Sequence, residues 1–286
     1  MAAKTVAKER IGLIGVGRMG HAMLTHLLKA GYPVTVNDAS ADAVKRAVAA
    51  GAQSAATPAD LARDCGFVII AVGYDEEVAA VTGGPDGLLA ALAPGALIAV
   101  TSTVAPAAMT ALAAAAAATG VEVIDAPICR GGWAADEGAL LVLFGGAPEA
   151  VARARPVYAN FCSDLHHLGI VGHGQVGKAM NNLLLWANGV ALLEAGKLAE
   201  TTGIDLPKLR DALLISTGNS AALEDWDQLT FTWALKDMQV VEQMTDAAGL
   251  ALPLAGAVKE LVKDARRVKT NGGPDWTGKK KGARPA

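Results

Sequence analysis

The sequence predicts an α/β protein in two parts: a mostly parallel sheet wrapped by helices over residues 1–170, then helices alone over residues 171–286. Three observations predict it. Short apolar runs of strand length alternate with helical segments through the first part. The first of these runs is followed at once by a Gly-x-Gly-x-x-Gly turn. Beyond Gly169 no strand-like run recurs, only long helical periodicities.

Ile11 to Val16 is the first strand candidate. The turn Gly15-Val16-Gly17-Arg18-Met19-Gly20 leads into helical spacing from His21 to Lys29, which stops at Gly31. Val34-Thr35-Val36 follows and ends in Asn37-Asp38. Strand, glycine turn, helix, strand and acid stand in the order a dinucleotide site needs. Gly15 allows the tight turn, Gly17 lets the backbone approach a pyrophosphate, and Gly20 lets helix pack on strand. The phosphates then sit at a helix N-terminus, where backbone amides point outward. Asp38, 18 residues after Gly20, is placed to accept from the adenosine ribose hydroxyls. No arginine or lysine between Asp38 and Lys45 could hold a 2′-phosphate, so NAD is expected over NADP.

Phe67 to Val72 and Ala96 to Val100 are runs of buried-strand length. Loops after parallel strands lie at the ligand-binding edge, which brings Val72, Gly73 and Thr101-Ser102-Thr103 toward the cofactor. Thr103 offers a hydroxyl to the nicotinamide end, or caps a helix ahead of Pro106; the residues alone leave both open. Ala111 to Ala118 is strong helix propensity and nothing more. Val121 to Ile124 is another strand, ending in Asp125-Ala126-Pro127-Ile128-Cys129-Arg130-Gly131-Gly132, and Leu140 to Phe144 closes at Gly145-Gly146. Adjacent glycines after a strand suit a turn whose amides face a carboxylate. Arg130 adds a planar fork for an anionic oxygen group, unless it is simply a solvated cation. Cys129 has no histidine spaced to activate it and reads as a packed small residue.

The stretch Gly172-His173-Gly174-Gln175-Val176-Gly177-Lys178 reads as a glycine-rich turn feeding a helix whose first exposed turn carries Lys178. Asn182 lies four residues on and shares its face. A lysine near a helix start is electrostatically misplaced, because that end is already partly positive, and this suits a group that must release and regain a proton. Lys236, followed by Asp237, is a second cation on an otherwise apolar helix; its bland counterpart is an ordinary surface pair. His166, His167 and His173 lack a third ligand at metal spacing and are expected as loop and turn histidines. Trp186, Trp226 and Trp233 are expected in the core or at a subunit interface.

Composition narrows the function further. With 52% hydrophobic residues and a net charge of −3, the chain can bury a large core but lacks the basic face that nucleic acid requires. The basic cluster Lys279-Lys280-Lys281 with Arg284 falls in a tail expected to be disordered from about residue 277. Leu183 to Leu198 is broken by Asn188 and Glu194, so a buried helix is expected there and no membrane span. Met1 to Arg10 lacks the apolar run of a secretory leader. Cys65, Cys129 and Cys162 lie far apart, as in a reduced cytoplasmic protein without disulfides or metal. The expected partner is a small anionic substrate.

Taken together, these motifs resemble the β-hydroxyacid dehydrogenase family, which includes 3-hydroxyisobutyrate dehydrogenases and tartronate semialdehyde reductases. The resemblance runs from Ile11 to about Trp276, with four motifs in the family's order: Gly15–Gly20, Asp125–Gly132, Gly172–Asn182 and Lys236-Asp237. It implies an N-terminal Rossmann domain, a long interdomain helix and an all-helical C-terminal domain that forms homodimers or homotetramers. It implies that Lys178 is the general acid for carbonyl reduction and general base for alcohol oxidation, with Asn182 as its orienting partner. Thr103, within Ser102 to Pro106, would contact NAD. Lys236 would close over nicotinamide and substrate, and Cys129, Arg130 and Gly131 would line the substrate loop.

This chain departs from the family at two places. Many members read Asp-Ala-Pro-Val-Ser-Gly-Gly, whereas here Cys129 replaces the serine and Arg130 the first glycine. An arginine there resembles sulfolactaldehyde reductases, and implies a substrate with an extra anionic group or a carboxylate held by Arg130. The loop after Val72 also lacks the family's usual Leu-Pro. The expected reaction is NAD-dependent oxidation of a short 3-hydroxy acid, or reduction of its semialdehyde, with a sulfolactaldehyde-type reductase as an alternative. An imine reductase shares the architecture but usually lacks the lysine, and a decarboxylating phosphogluconate dehydrogenase needs a longer C-terminal domain. A catalytically silent dinucleotide-binding protein has no chemical need for Lys178, Asn182 and Lys236 together.

Overall fold

The first apolar run forms β1 (Ile11–Ile14), and the glycine turn after it enters α1 (Arg18–Lys29). In the computed structural model, which describes residues 8–279, the chain divides into two compact units between Lys178 and Ala179. The expectations for the leader region up to residue 7 and for Lys280, Lys281 and Arg284 lie outside the described residues.

The first unit continues with β2 (Val34–Asn37), α2 (Ala41–Ala49), β3 (Gln53–Ser54), α3 (Pro58–Asp64), β4 (Phe67–Ile70), α4 (Asp75–Thr82), β5 (Leu97–Val100) and α5 (Pro106–Ala117). It then runs through β6 (Glu122–Asp125), β7 (Ile128–Cys129), α6 (Gly131–Glu137), β8 (Leu140–Gly145), α7 (Pro148–Tyr158) and β9 (Cys162–Gly169), into α8 (His173–Glu200). The strands form a sheet in the order β3-β2-β1-β4-β5-β6-β8-β7, with β9 paired to β8. β1 to β6 are parallel, with Ile11 opposite both Val34 and Phe67; β8 runs antiparallel to β6 and β7, and β9 parallel to β8. The chain reverses its winding at β1 and β4, so the crevice beyond their C-terminal ends is the ligand position of a doubly wound sheet.

Alternation within the strands explains why they read as unbroken apolar runs. Ile11, Leu13, Phe67, Ile69, Leu97 and Ala99 face a core shared with α1 and α7. Val68, Ile70, Ile98 and Val100 face the opposite core, shared with α3 and α5. Both faces are covered, so no polar face interrupts the pattern.

β7 and β9 were not expected. β7 is two residues long, and β9 carries Ser163, Asp164, His166 and His167 on a strand that is largely half-buried or exposed. His166 and His167 are therefore strand residues and not loop histidines. His167 Nε2 donates to the carbonyls of Gly146 and Gly169, both at 2.9 Å, and His173 opens α8.

After α8 the second unit holds α9 (Leu206–Leu214), α10 (Ala221–Glu224), α11 (Ala234–Ala248) and α12 (Pro253–Thr270). Its core gathers Trp186, Trp226, Phe231, Met238, Val258 and Trp276. Trp276 is fully buried, and its Nε1 donates to the Leu192 carbonyl at 3.1 Å. Trp186 and Trp226 are core as expected, whereas Trp233 is half exposed. Thr277 and Lys279 both bond to Asp227, at 2.8 and 3.1 Å. Among the described residues no helix is long and apolar enough to cross a membrane.

Candidate functional site

The glycine turn is built by steric demand. Gly15 has φ +87, and a Cβ on it would stand 2.5 Å from the Ala71 carbonyl oxygen. A Cβ on Gly20 would stand 1.9 Å from the Gly15 carbonyl oxygen, so α1 can approach β1 only through glycine. Gly17 differs: a Cβ there would meet nothing within 4 Å. It is the N-cap of α1, whose first turn has neither a capping side chain nor an acidic residue. Amides at a helix start without a capping side chain, beside the open space at Gly17, fit an anionic group such as a pyrophosphate. Asp38 completes the turn, accepting from the amides of Val16 and Ser40, both at 2.7 Å.

Gly17→Ala is therefore expected to leave the melting temperature unchanged within about 2 °C and to weaken NADH binding by about tenfold or more, since the new methyl fills space that only a ligand would use. A fluorescence titration beside a thermal melt checks both halves.

The residues around this turn do not all point where sequence placed them. Met19 is half-buried against the core. Arg18 engages Asp136, Nη1 to Oδ1 at 2.8 Å and Nη2 to Oδ2 at 2.6 Å, and the Gly132 carbonyl at 3.1 Å. The Arg18 side chain is thus held in a bidentate ion pair within the protein.

Internal bonds also order the loops after β4 and β5. The amides of Gly73 and Tyr74 donate to Glu77 Oε2 at 2.6 and 3.1 Å, and the Val72 amide donates to Ser102 Oγ at 2.9 Å. α5 takes Ala105 as its N-cap, so capping is not the role of Thr103, which is half-buried. Gln175 joins this loop to α8: its Oε1 accepts from the Val104 amide at 3.1 Å and its Nε2 donates to the Ser102 carbonyl at 2.8 Å. Sequence reasoning missed Glu77 and Gln175. The Glu77 signal was a capping box across Tyr74 and Glu77 at the start of α4. Gln175 had no signal beyond its place among glycines.

Asp125 seats α8. It is fully buried, its Oδ1 accepting from the Gly172 amide at 2.7 Å and its Oδ2 from the Gln175 amide at 2.9 Å, with the Gly174 amide adding to them. Burial pushes its carboxyl up, and the amide donors only partly offset that. A Cβ on Gly174 would lie 2.3 Å from the Leu143 carbonyl oxygen, and one on Gly177 would lie 2.4 Å from Leu168 Cδ1. Gly174 and Gly177 therefore belong inside the helix and not to a turn before it, because they let α8 lie close on the sheet. Lys178 accordingly sits in the second turn of α8, where the field of the helix end has weakened.

Lys178 is half-buried, and its Nζ lies 3.8 Å from Sγ of Cys129, which is 5% exposed. The first unit thus brings the lysine to the loop of Cys129. Arg130 goes elsewhere. Its backbone is left-handed at φ +83, a position that favours glycine. Its Nη1 donates to Asp164 Oδ2 at 2.6 Å, Ser163 Oγ at 3.0 Å and the Ala139 carbonyl at 3.1 Å. The Arg130 guanidinium forms an ion pair with β9, made possible because Asp164 sits on a strand the sequence did not reveal. Ser163 and Arg130 hold the Asp164 carboxyl below the usual range, so the pair persists at neutral pH. Gly131 continues the left-handed turn at φ +73 and is exposed.

In the second unit, Asn182 is 2% exposed and its Oδ1 accepts from Asn181 Nδ2 at 3.0 Å. Helical spacing places it on the face of α8 that carries Lys178. Lys236 is half-buried in the first turn of α11. Asp237 is buried, with Oδ2 accepting from Trp186 Nε1 at 3.0 Å. Among the described residues no three His, Cys, Asp or Glu side chains are grouped to hold a metal ion.

Comparison with known proteins adds the following. Residues 10–172 match the NAD binding domain of 6-phosphogluconate dehydrogenase, and residues 172–278 match the NAD-binding domain of NADP-dependent 3-hydroxyisobutyrate dehydrogenase. The NAD-dependent L-serine dehydrogenase of Pseudomonas aeruginosa is 37% identical over 216 residues, 76% of this chain and 72% of that protein. The 3-sulfolactaldehyde reductase of Escherichia coli is 31% identical over 281 residues, 93% of each chain. The structure of Mycobacterium tuberculosis 3-hydroxyisobutyrate dehydrogenase with L-serine superposes with a TM-score of 0.83 at 25% identity, covering 94% of this chain and 97% of that one.

Proposed function

The chain belongs to the β-hydroxyacid dehydrogenase family, NAD-linked oxidoreductases acting on CH–OH groups, and we propose that it oxidises a short 3-hydroxy acid or reduces the matching semialdehyde. The observation that carries this is the approach of Lys178 Nζ to Cys129 of the substrate loop, 3.8 Å, in the unit that also holds the glycine turn and Asp38. The backbone of Gly15 to Gly20, with Asp38, Val72, Gly73 and Thr103, would hold the dinucleotide. When bound, NAD supplies the hydride chemistry at the substrate carbon. Lys178 takes the hydroxyl proton in oxidation and returns one to the carbonyl oxygen in reduction, while Asn182 orients it. Lys236 is assigned to substrate and cofactor binding by the same family resemblance. The Asp38 carboxylate favours NAD, since a ribose 2′-phosphate would meet a like charge.

Homodimer or homotetramer formation and a cytoplasmic location belong to the same proposal. Exposed Ile215, Leu198 and Leu254 in the second unit and three free cysteines support them. A second reading, a sulfolactaldehyde-type reductase, draws on Arg130 and on the relative aligned over 93% of both chains. Against it stands the commitment of the Arg130 guanidinium to Asp164.

The deciding assay is NADH formation from NAD with L-serine, 3-hydroxyisobutyrate and 2,3-dihydroxypropanesulfonate. The two carboxylates are expected to exceed the sulfonate in kcat/KM by about tenfold or more, with Arg130→Gly leaving their KM within about threefold. A sulfonate preference that Arg130→Gly abolishes would establish the second reading in its place. Failure of the protein to bind NADH would remove both.

A further inference from the structure

Helix α6 is seven residues long, too short to be stable by itself. It begins beside the substrate loop with two left-handed residues, Arg130 at φ +83 and Gly131 at φ +73, and ends at a third, Gly138 at φ +68. It buries Ala134 and Ala135 and little else. With a sharp bend at each end and so little buried, its position depends on what it packs against.

What holds it is α1. Arg18 makes its two-pronged bond to Asp136 and a third to the Gly132 carbonyl, near the start of α6. Two turns further along α1, His26 Nε2 meets the carbonyls of Ala135 and Asp136, both at 3.0 Å, at the other end. Both partners are acceptors, so this nitrogen carries the proton, and it bonds two carbonyls near the C-terminal end of α6. A glycine lies under each strap. A Cβ on Gly132 would stand 3.0 Å from the Arg18 guanidinium, and one on Gly138 would stand 3.1 Å from the His26 ring. Isolated surface ion pairs contribute little, but a bidentate arginine–carboxylate pair fixes orientation as well.

The backbone of Arg18 follows Gly17 directly, at the uncapped start of α1, where a Cβ on Gly17 would meet nothing within 4 Å. We propose that the Arg18–Asp136 pair, seconded by His26, transmits dinucleotide binding to the substrate loop, making Arg18 and Asp136 positioning residues for Cys129 and the Gly131–Gly132 turn. Ordering of the first turn of α1 by a bound pyrophosphate then restrains α6 through the guanidinium. The proposal rests on the reading of the first unit as a dinucleotide site. It assigns Arg18 a role opposite in signature to that of a phosphate ligand, whose loss would weaken the cofactor and leave α6 unchanged.

The test is hydrogen–deuterium exchange of the full-length protein over residues 130–138, with and without saturating NADH, beside NADH titrations and thermal melts. In the wild type NADH is expected to slow exchange there by about tenfold. Asp136→Ala is expected to lose that response while its NADH affinity stays within about threefold and its melting temperature within about 2 °C, and Asp136→Glu to recover most of it. An intact response in Asp136→Ala overturns the proposal, as does a wild type that binds NADH with no change over 130–138. So does an Arg18→Ala variant that loses about tenfold in NADH affinity yet keeps the response in α6. A wild type that fails to bind NADH overturns the dinucleotide reading itself, and the proposal with it.

Discussion

Lys178→Met is expected to lower kcat by about a thousandfold while leaving NADH affinity and the melting temperature near those of the wild type. Methionine keeps an unbranched side chain and removes the only group at this position that can carry a proton. The structural loss is small, because the contact from Nζ to the Cys129 thiol is a weak one at 3.8 Å. Lys178→Arg sharpens the test. An arginine retains the positive charge but does not release its proton, so a proton-transfer role predicts a comparable loss, whereas an electrostatic anchor for the substrate carboxylate would be preserved. Steady-state rates with the best substrate, together with NADH titration, decide between them. More than about a tenth of wild-type kcat in Lys178→Arg would remove Lys178 from proton transfer.

Asp125→Ala is expected to destabilise the first unit by about 3–5 kcal/mol, the range found when a buried charged partner is removed and its donors are stranded. The amides of Gly172, Gly174 and Gln175 would be left facing a cavity, with no water-exposed route for relaxation. In a unit of this size the loss corresponds to a fall of about 10 °C in the melting transition. Asp164→Ala, at a half-buried position on β9, is the control and is expected to shift it by about 2 °C at most. Calorimetry reads both. A shift for Asp125→Ala no larger than the control would mean that the start of α8 is held by something other than this carboxylate.

The two halves of the fold were legible to different degrees for a physical reason. β1, β4 and β5 are covered on both faces, so every position selects an apolar residue and the runs stand out. β9 lies beyond β8, where Ser163, Asp164 and His166 are tolerated, and nothing in their order announces a strand. The glycine turn and Asp38 were legible because their spacing follows from backbone geometry. The meeting of Lys178 with the substrate loop followed from motif order. Arg18 and Arg130 were both assigned outward to ligands, yet each is matched by a carboxylate, Asp136 at 118 residues and Asp164 at 34 residues along the chain. No local pattern reports a partner at such a distance. Asp125 was visible as a motif residue, but its task, closing the first turn of a helix 47 residues later, belongs to tertiary structure alone.

α8 carries glycine at positions 174, 177, 189 and 196, and at each a Cβ would come within 3 Å of a neighbour: Leu143, Leu168, Phe231 and Pro274 in turn. Against alanine these four residues lower the intrinsic helix stability of the segment by about 4 kcal/mol in total. The longest helix of the chain is therefore a poor nucleus. As an isolated peptide, residues 173–200 are expected to be largely unstructured. During folding, α8 must form against surfaces that already exist, the sheet for its first turns and the aromatic core for its last. The order of assembly is thus written into the helix by what it lacks: the two units organise first, and the rod that carries Lys178 and Asn182 sets last.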